Sequence, residues 1–240
     1  SREMTHRIQC WSGPRNLSTA LMYSFRQRGD TTVVDEPLYT HFLTVSDRPD
    51  PGREATLASR SSDQHTLVRE LILGPCPTPV LYVKQISSHL LGIDRWFLDE
   101  TDQVLLTREP RAVLASFARH LPEATLADTG LPAQVELLDD LLDRGRDPVV
   151  VDADRLVDDP RAVLQRLCER LGLDFDPAML TWPTGPKPED GAWAPYWYAN
   201  VHRSSRFERQ RAEAAPLPTT LEPTVDEARP LHERLLGFAV

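Results

Sequence analysis

The sequence has few cysteines and no excess of positive charge. Only three cysteines occur in 240 residues, at positions 10, 76 and 168. They are too few and too scattered for a disulfide framework or a zinc knuckle. Lys and Arg number 27 against 36 Asp and Glu, so the net charge is 27 − 36 = −9. This balance disfavours general nucleic-acid binding and attraction to anionic membranes, since both need basic surface.

Long apolar runs are also missing. No stretch approaches the roughly 18 apolar residues of a membrane helix, and the first residues carry no apolar signal-peptide segment. An odd cysteine count suits a reducing compartment. We therefore expect a soluble, cytoplasmic protein, and the high Arg, Ala, Asp and Pro content is typical of bacterial genomes rich in G and C. The oligomeric state is left open.

Short apolar, β-branched runs alternate with helical patterns along the chain. The predicted strands are His6–Trp11, Thr31–Asp35, Val80–Lys84, Gln103–Thr107 and Pro148–Asp152. Such alternation predicts a three-layer α/β/α fold with a mostly parallel central sheet and right-handed crossovers. We expect a single domain over residues 1–240. Ligands in such sheets bind beyond the carboxyl ends of the strands, so the residues that follow each strand matter most.

Helix boundaries and irregular segments can also be placed. Asp159 and Pro160 predict the cap and first position of a helix that Gly172 ends. Two stretches, Thr44–Asp63 and Pro183–Asp190, favour irregular structure because they are rich in turn-forming and polar residues. Each is either a functional loop or a solvated excursion.

The turn between the first strand and the first helix combines several groups that bind anions. It carries Gly13, Arg15, Asn16, Ser18 and Thr19. A helix N-terminus presents unpaired N–H groups and a partial positive charge, to which the hydroxyls and the guanidinium add donors. Alternatively, the Ser and Asn side chains merely cap the helix. No Gly-Lys pair occurs in the chain, so the turn is not an ATP-type P-loop.

The segment Pro14–Thr19 reads Pro-Arg-Asn-Leu-Ser-Thr. It resembles the Pro-Lys-Ser-Gly-Thr-Thr loop of the sulfotransferases that use 3′-phosphoadenosine-5′-phosphosulfate (PAPS), with Arg15 for Lys and Leu17 for Gly. The resemblance implies a P-loop-like sulfotransferase fold. It also implies that this loop, with Gly13 and Asn16, binds the 5′-phosphosulfate.

Two further segments resemble the same family. Arg108 follows the fourth strand and Ser116 lies eight positions later, which is the spacing that holds the cofactor's 3′-phosphate in the family. Lys187, Gly191 and Trp193 resemble the loop that covers the 3′-phosphate and the adenine. The alternatives are an ordinary salt bridge for Arg108, a backbone-bonded Ser116 and aromatic packing for Trp193.

Sulfuryl transfer needs a group that deprotonates the acceptor and a cation that stabilises the leaving phosphate. Glu36 follows the second strand and is the first candidate base; some family members use a carboxylate near this point. His89 is its rival and His41 a weaker third. Lys84, at the end of the third strand, is a candidate for stabilising the bridging oxygen. No metal-ligand cluster appears in the sequence, and the reaction demands none.

The resemblance therefore implies an enzyme that moves a sulfuryl group from PAPS to a hydroxyl or amine of a small-molecule acceptor, leaving 3′-phosphoadenosine-5′-phosphate (PAP). Two alternatives stay open: a phosphotransferase or nucleotide kinase with an atypical phosphate loop, and a non-catalytic nucleotide-binding protein. The charge of −9 favours a small neutral or cationic acceptor. The residues do not identify that acceptor.

Overall fold

A computed structural model describes residues 4–119, 121–209 and 216–240 of the chain. Its strands form one parallel sheet in the order β2-β3-β1-β4-β5. The strands are β1 (His6–Ser12), β2 (Thr31–Asp35), β3 (Val80–Ile86), β4 (Asp102–Thr107) and β5 (Val149–Asp152). The α/β fold class and the position of each predicted strand are confirmed, with ends that differ by two residues at most.

Helices connect the strands. Their bounds are α1 (Ser18–Arg26), α2 (Tyr39–Val45), α3 (Arg53–Ser59), α4 (Gln64–Leu67), α5 (Pro110–Ala118), α6 (Leu131–Asp143), α7 (Ala153–Asp158), α8 (Pro160–Leu171), α9 (Ala194–Trp197), α10 (Ala199–His202) and α11 (Glu222–Leu236). Short 3₁₀ turns cover Ser87–Leu90, Trp96–Glu100, Ala127–Thr129, Pro177–Leu180 and Thr219–Leu221, and Val68–Ile72 is a π-helical turn.

The caps of α8 follow the sequence prediction. The Asp159 carboxylate accepts a hydrogen bond from the Ala162 N–H, Pro160 occupies the first turn, and Gly172 ends the helix at a φ of 71°. The expectation that Thr44–Asp63 lacks regular structure is wrong in part, because α3 lies inside it. The helix-forming residues of α3 outweigh the flanking prolines and serines. Pro183–Asp190 contains turns and bends but no helix or strand.

Packing divides the chain into two compact units. The first unit comprises Ser1–Cys10, Thr19–Asp102 and Asp176–Arg206; the second comprises Trp11–Ser18, Gln103–Phe175 and Phe207–Val240. An aromatic cluster in the first unit contains Tyr39, Phe42, Leu43, Trp193, Ala194 and Tyr198. A cluster in the second contains Leu114, Ala124, Leu221 and Val225. The expectation of a single domain over residues 1–240 stays a prediction.

Among the described residues, no helix is both long enough and apolar enough to cross a bilayer. The cytoplasmic location stays a prediction.

Candidate active site

The turn after β1 has an uncommon backbone. Arg15 and Leu17 both adopt left-handed conformations, with φ of 63° and 66°. Non-glycine residues rarely do so, and the strain is characteristic of ligand-binding turns. Alternating conformations of this kind turn successive backbone N–H groups towards one concave side, which binds anions. Leu17 stands at the position that glycine occupies in the loop this segment resembles, and a leucine is strained in the left-handed conformation that a glycine adopts freely.

Close backbone packing supports this turn within the second unit. A Cβ atom built on Gly13 would lie 2.4 Å from the Thr129 carbonyl oxygen, and one on Gly130 would lie 2.6 Å from the Gly13 Cα. The two glycines therefore permit an approach that no other residue allows. The buried Gln134 amide donates to the carbonyls of Trp11 and Leu106, at 3.1 and 2.8 Å, and ties the end of β1 to β4.

Asn16, Ser18 and Thr19 each carry a polar atom without a hydrogen-bond partner among the described residues. Asn16 Nδ2 lies 3.5 Å from the Leu106 carbonyl, whereas its buried Oδ1 has no hydrogen-bond partner in the described parts of the chain. The hydroxyls of Ser18 and Thr19 likewise make no hydrogen bond to the residues described. Buried polar groups are normally satisfied, so the unpartnered Asn16 Oδ1 indicates a place for a polar ligand.

Arg108 comes from the end of β4 and braces the same turn. Its Nη1 donates to the Arg15 carbonyl at 2.7 Å, and the residue is only 6% exposed. Burial lowers the pKa of Arg15, although an arginine stays charged at any ordinary pH. Ser116 is half-buried within α5. The second unit thus holds the Arg108 guanidinium against the backbone of the turn, and a guanidinium is a strong donor to anions.

A charged triad lies in the first unit, at the ends of β2 and β3. Asp35 and Lys84 are register partners across the parallel strands. Successive strand residues point to opposite faces, but Glu36 has left the strand with a φ of 38°. Both carboxylates consequently reach one ammonium. Lys84 Nζ lies 2.7 Å from Glu36 Oε2 and 3.5 Å from Asp35 Oδ1, and all three side chains are buried.

Tyr198 completes this cluster. Its hydroxyl lies 2.7 Å from Asp35 Oδ2, 2.7 Å from Lys84 Nζ and 3.0 Å from Trp193 Nε1. The Gly191 N–H donates to Asp35 Oδ2 at 3.0 Å. A Cβ on Gly191 would lie 2.1 Å from the Trp193 indole, so a glycine two residues before the tryptophan lets the ring fold back over the chain.

Burial and charge set the protonation states of this cluster. Burial raises the pKa of Asp35. For Lys84, burial acts to lower the pKa, but Asp35 and Glu36 raise it by more, so the net change is upward. Burial, with the same carboxylates, also raises the pKa of Tyr198 well above its ordinary value. Lys84 is therefore an ammonium and Tyr198 a neutral phenol at neutral pH.

His89 lies in a different environment. It is buried against Tyr39 and Phe42, and the centroid of each of these rings lies 4.8 Å from that of His89. Burial lowers the pKa of His89 to about 3, and its Nδ1 has no hydrogen-bond partner among the described residues. Its ring is a weak base in this state. The Nε2 atom of His41 lies 2.9 Å from the Leu91 carbonyl, and no carboxylate of the described residues pairs with this ring.

Lys187 and Trp193 are both built into the first unit. Lys187 Nζ donates to the carbonyls of Pro183 and Gly185 and lies over the Tyr23 ring. Trp193 is 1% exposed within the aromatic cluster. Their contacts are those of structural residues, and their part in cofactor binding stays a prediction.

Sequence reasoning did not assign Asp35, Tyr198 or Gly130 to the site. Asp35 was visible as a second carboxylate at a strand end. Tyr198 carried no signal, because its hydroxyl reaches Asp35 from 163 positions away. The contact between Gly13 and Gly130 likewise depends on tertiary structure.

The fold is that of an α/β protein whose first strand ends in a turn with a strained backbone and an unpartnered, buried amide oxygen. The sequence profile of the family described as "Sulfotransferase domain" matches residues 6–232, and the chain belongs to that family.

Solved structures agree with this fold. The chain is similar to the sulfotransferase domain of the Synechococcus PCC 7002 olefin synthase, with a TM-score of 0.58, 19% identity and coverage of 98% of this chain and 97% of the other. The sulfotransferase domain from the curacin biosynthetic pathway gives a TM-score of 0.56 and 17% identity, with 98% of both chains covered. A sulfotransferase from Alicyclobacillus acidocaldarius gives 0.54 and 16%, with 77% and 87% covered.

Two curated relatives from Arabidopsis thaliana match more closely in sequence. Branched-chain-amino-acid aminotransferase-like proteins 2 and 1 are 37% and 38% identical over 229 residues, which are 95% of this chain. The chain spans 41% of the length of each of them. Their names describe those longer proteins.

Proposed function

We propose that this sulfotransferase domain transfers a sulfuryl group from PAPS to a hydroxyl or amine of a small-molecule acceptor, with Glu36 as the general base. The cofactor supplies the sulfuryl group and leaves as PAP. Every other requirement falls to the chain: to hold two phosphate groups, to take a proton from the acceptor and to compensate the charge that develops on the leaving phosphate.

The turn after β1 is the proposed 5′-phosphosulfate site. Its strained backbone, the unpartnered Asn16 Oδ1 and the hydroxyls of Ser18 and Thr19 support this assignment. Arg15 supplies positive charge at this site, and the Arg108 side chain holds the loop through the Arg15 carbonyl. Gly13 has a structural part, because it allows the loop to pack on Gly130. Arg108 and Ser116 are proposed for the 3′-phosphate, and the part of Lys187 in cofactor binding stays a prediction.

The observation that supports Glu36 as the base is the unequal use of its two oxygens. Oε2 receives the Lys84 ammonium at 2.7 Å. Oε1 has no hydrogen bond within the described parts of the chain. An acceptor hydroxyl can therefore donate to Oε1 while Lys84 fixes the carboxylate from the other side. When the acceptor oxygen forms its bond to sulfur, the bond from sulfur to the phosphate oxygen breaks and the acceptor proton moves to Glu36.

His89 is less suited to this role. A general base works best when its pKa lies near the working pH, whereas burial holds the pKa of His89 at about 3. Lys84 contributes charge: it orients Glu36 and is the candidate cation for the leaving phosphate.

The test is transfer of ³⁵S from labelled PAPS to a panel of phenols, aliphatic alcohols and amines. The proposal expects acceptor-dependent formation of sulfated product together with an equal amount of PAP. Binding of PAP without sulfation of any acceptor would favour the non-catalytic alternative, and phosphate transfer from ATP would favour the kinase alternative.

A further inference from the structure

The Tyr198 hydroxyl has one proton to donate but lies within hydrogen-bond distance of several polar groups. Four residues lie within 3.2 Å of it: Asp35, Glu36, Lys84 and Trp193. A phenol has one proton and two acceptor lone pairs. A lysine ammonium and an indole N–H can only donate, so Lys84 and Trp193 fill the two lone pairs.

The single proton must then go to a carboxylate. Asp35 is the nearer one, with Oδ2 at 2.7 Å and Oδ1 at 2.9 Å, against 3.2 Å for Glu36 Oε2. With its proton on Asp35, Tyr198 leaves Lys84 as the sole donor to the Glu36 side chain among the described residues. A saturated, neutral hydroxyl can neither take the acceptor proton nor donate to a ligand.

What such a hydroxyl can do is fix Lys84. Nζ of Lys84 lies 2.7 Å from the Tyr198 oxygen and 4.6 Å from the centroid of the same ring. The ammonium is thereby held between the phenol and Glu36 Oε2. The Asp35 carboxylate accepts the phenol proton and is itself held by the Gly191 N–H, which donates to Oδ2 at 3.0 Å.

We propose that Tyr198 is a positioning residue for sulfuryl transfer, whose Asp35-anchored hydroxyl holds the Lys84 ammonium against Glu36 and so keeps Glu36 Oε1 free for the acceptor. The inference rests on the proposed function of Glu36. It assigns the segment that carries α9 and α10 a part in catalysis without any contact with the reacting atoms.

The experiment compares Tyr198→Phe with Tyr23→Phe. Each substitution removes one buried hydroxyl that donates to a buried aspartate; Tyr23 donates to Asp190 at 2.6 Å and touches neither Lys84 nor Glu36. Tyr198→Phe should lower kcat, per mole of folded enzyme, by about 10- to 100-fold because the base is misplaced. The acceptor KM and the PAP affinity should stay within about twofold. Tyr23→Phe should leave kcat unchanged. Equal kcat in both variants would overturn the proposal, as would a parallel change in KM.

A second readout does not depend on activity. Lys84 and Lys187 are the only lysines in the chain, so competitive acetylation followed by mass spectrometry reports each amine separately. Tyr198→Phe should raise the labelling rate of Lys84 about tenfold or more, since a hydrogen bond to a charged group is lost, while Lys187 is unaffected.

Unchanged Lys84 labelling in a folded variant would overturn the inference. Faster Lys84 labelling in a protein whose wild type sulfates no acceptor would instead refute the proposed function. If Tyr198→Phe does not fold, Asp35→Asn tests the same anchor with the same two readouts.

Discussion

Glu36 and Lys84 meet through both backbone and side chain: the Glu36 N–H donates to the Lys84 carbonyl at 2.9 Å, and Nζ donates to Oε2 at 2.7 Å. The left-handed turn at Glu36 makes this double contact possible, since an extended residue would point its carboxylate to the other face of the sheet. The strain at Glu36 therefore has a defined result, which is to gather two carboxylates on one ammonium.

The role of Glu36 predicts a large effect of a small change. Glu36→Gln keeps the shape of the side chain but removes its basicity, so kcat for sulfuryl transfer should fall by about 10²–10⁴-fold. The affinity for PAP, measured by calorimetry, should not change. Glu54→Gln, an exposed position on α3, is the matched control. Wild-type kcat in Glu36→Gln would show that another group takes the proton.

Arg108 is expected to contribute directly to donor binding. Removing its charge-assisted hydrogen bonds should weaken PAP binding by about 10- to 100-fold, because such bonds contribute about 1.5–3 kcal/mol each and 1.4 kcal/mol is tenfold in affinity. The control is Arg111→Ala, three positions later in the first turn of α5, where the exposed guanidinium pairs with Glu222 at 2.7 Å. Equal PAP affinity in Arg108→Ala and Arg111→Ala, measured by titration calorimetry, contradicts the assignment.

Gly13 tests the packing that supports the turn. A methyl group there would meet the Thr129 carbonyl oxygen at 2.4 Å, so Gly13→Ala should lower the free energy of unfolding by about 1–3 kcal/mol and weaken PAP binding. Gly29→Ala is a clean comparison, since nothing lies within 4 Å of its Cβ position; it should be neutral or stabilising by about 0.4–1 kcal/mol. Urea denaturation gives both values, and equal stability of the two variants would speak against the close contact.

His89 predicts a pH dependence of stability. Its pKa is about 3 in the folded protein against the model-compound value of 6.5. The folded state thus binds the proton less readily than the unfolded chain, and stability is lost as the pH falls below 6.5. Four titratable residues of the described chain act on its pKa: Asp50, Lys84, Arg48 and His41. Of these four, only Asp50 favours the protonated ring, and burial outweighs it.

Between pH 7.5 and pH 5 this single group should remove about 2 kcal/mol of stability. His89→Gln, which does not titrate, should show a correspondingly smaller loss over the same interval, whereas the exposed His65→Gln should behave like the wild type. The measurement is urea denaturation at the two pH values. The same loss in His89→Gln as in the wild type would mean that His89 is not held neutral by burial.

Much of this architecture was predictable because local signals carry it. Strands with β-branched runs, the Asp159 cap and the Gly172 stop all depend on neighbours in sequence. The helix α3 was missed, since turn-forming residues flank seven residues of good helical propensity. Glu36, Arg15 and Arg108 were singled out because they follow strands. The burial of His89, which lowers its pKa to about 3, is encoded in no short sequence pattern, and Glu36 as the base stays a proposal.

The sequence does not show which residues far apart in the chain form hydrogen bonds with each other. No sequence pattern singled out Tyr198, yet its hydroxyl lies 2.7 Å from Asp35 Oδ2. Lys187 was selected by resemblance, and its ammonium binds two nearby carbonyls. Hydrogen-bond partners more than 100 positions apart follow from topology, which composition and spacing specify only indirectly.

Calorimetric titration of the purified protein with PAP and, separately, with ATP tests the central claim most directly. The two nucleotides share an adenosine but differ in where their phosphates lie. The account predicts micromolar or tighter binding of PAP that is weakened in Arg108→Ala, and binding of ATP that is at least about tenfold weaker. Equal or tighter binding of ATP, or no binding of PAP, would contradict PAPS as the donor.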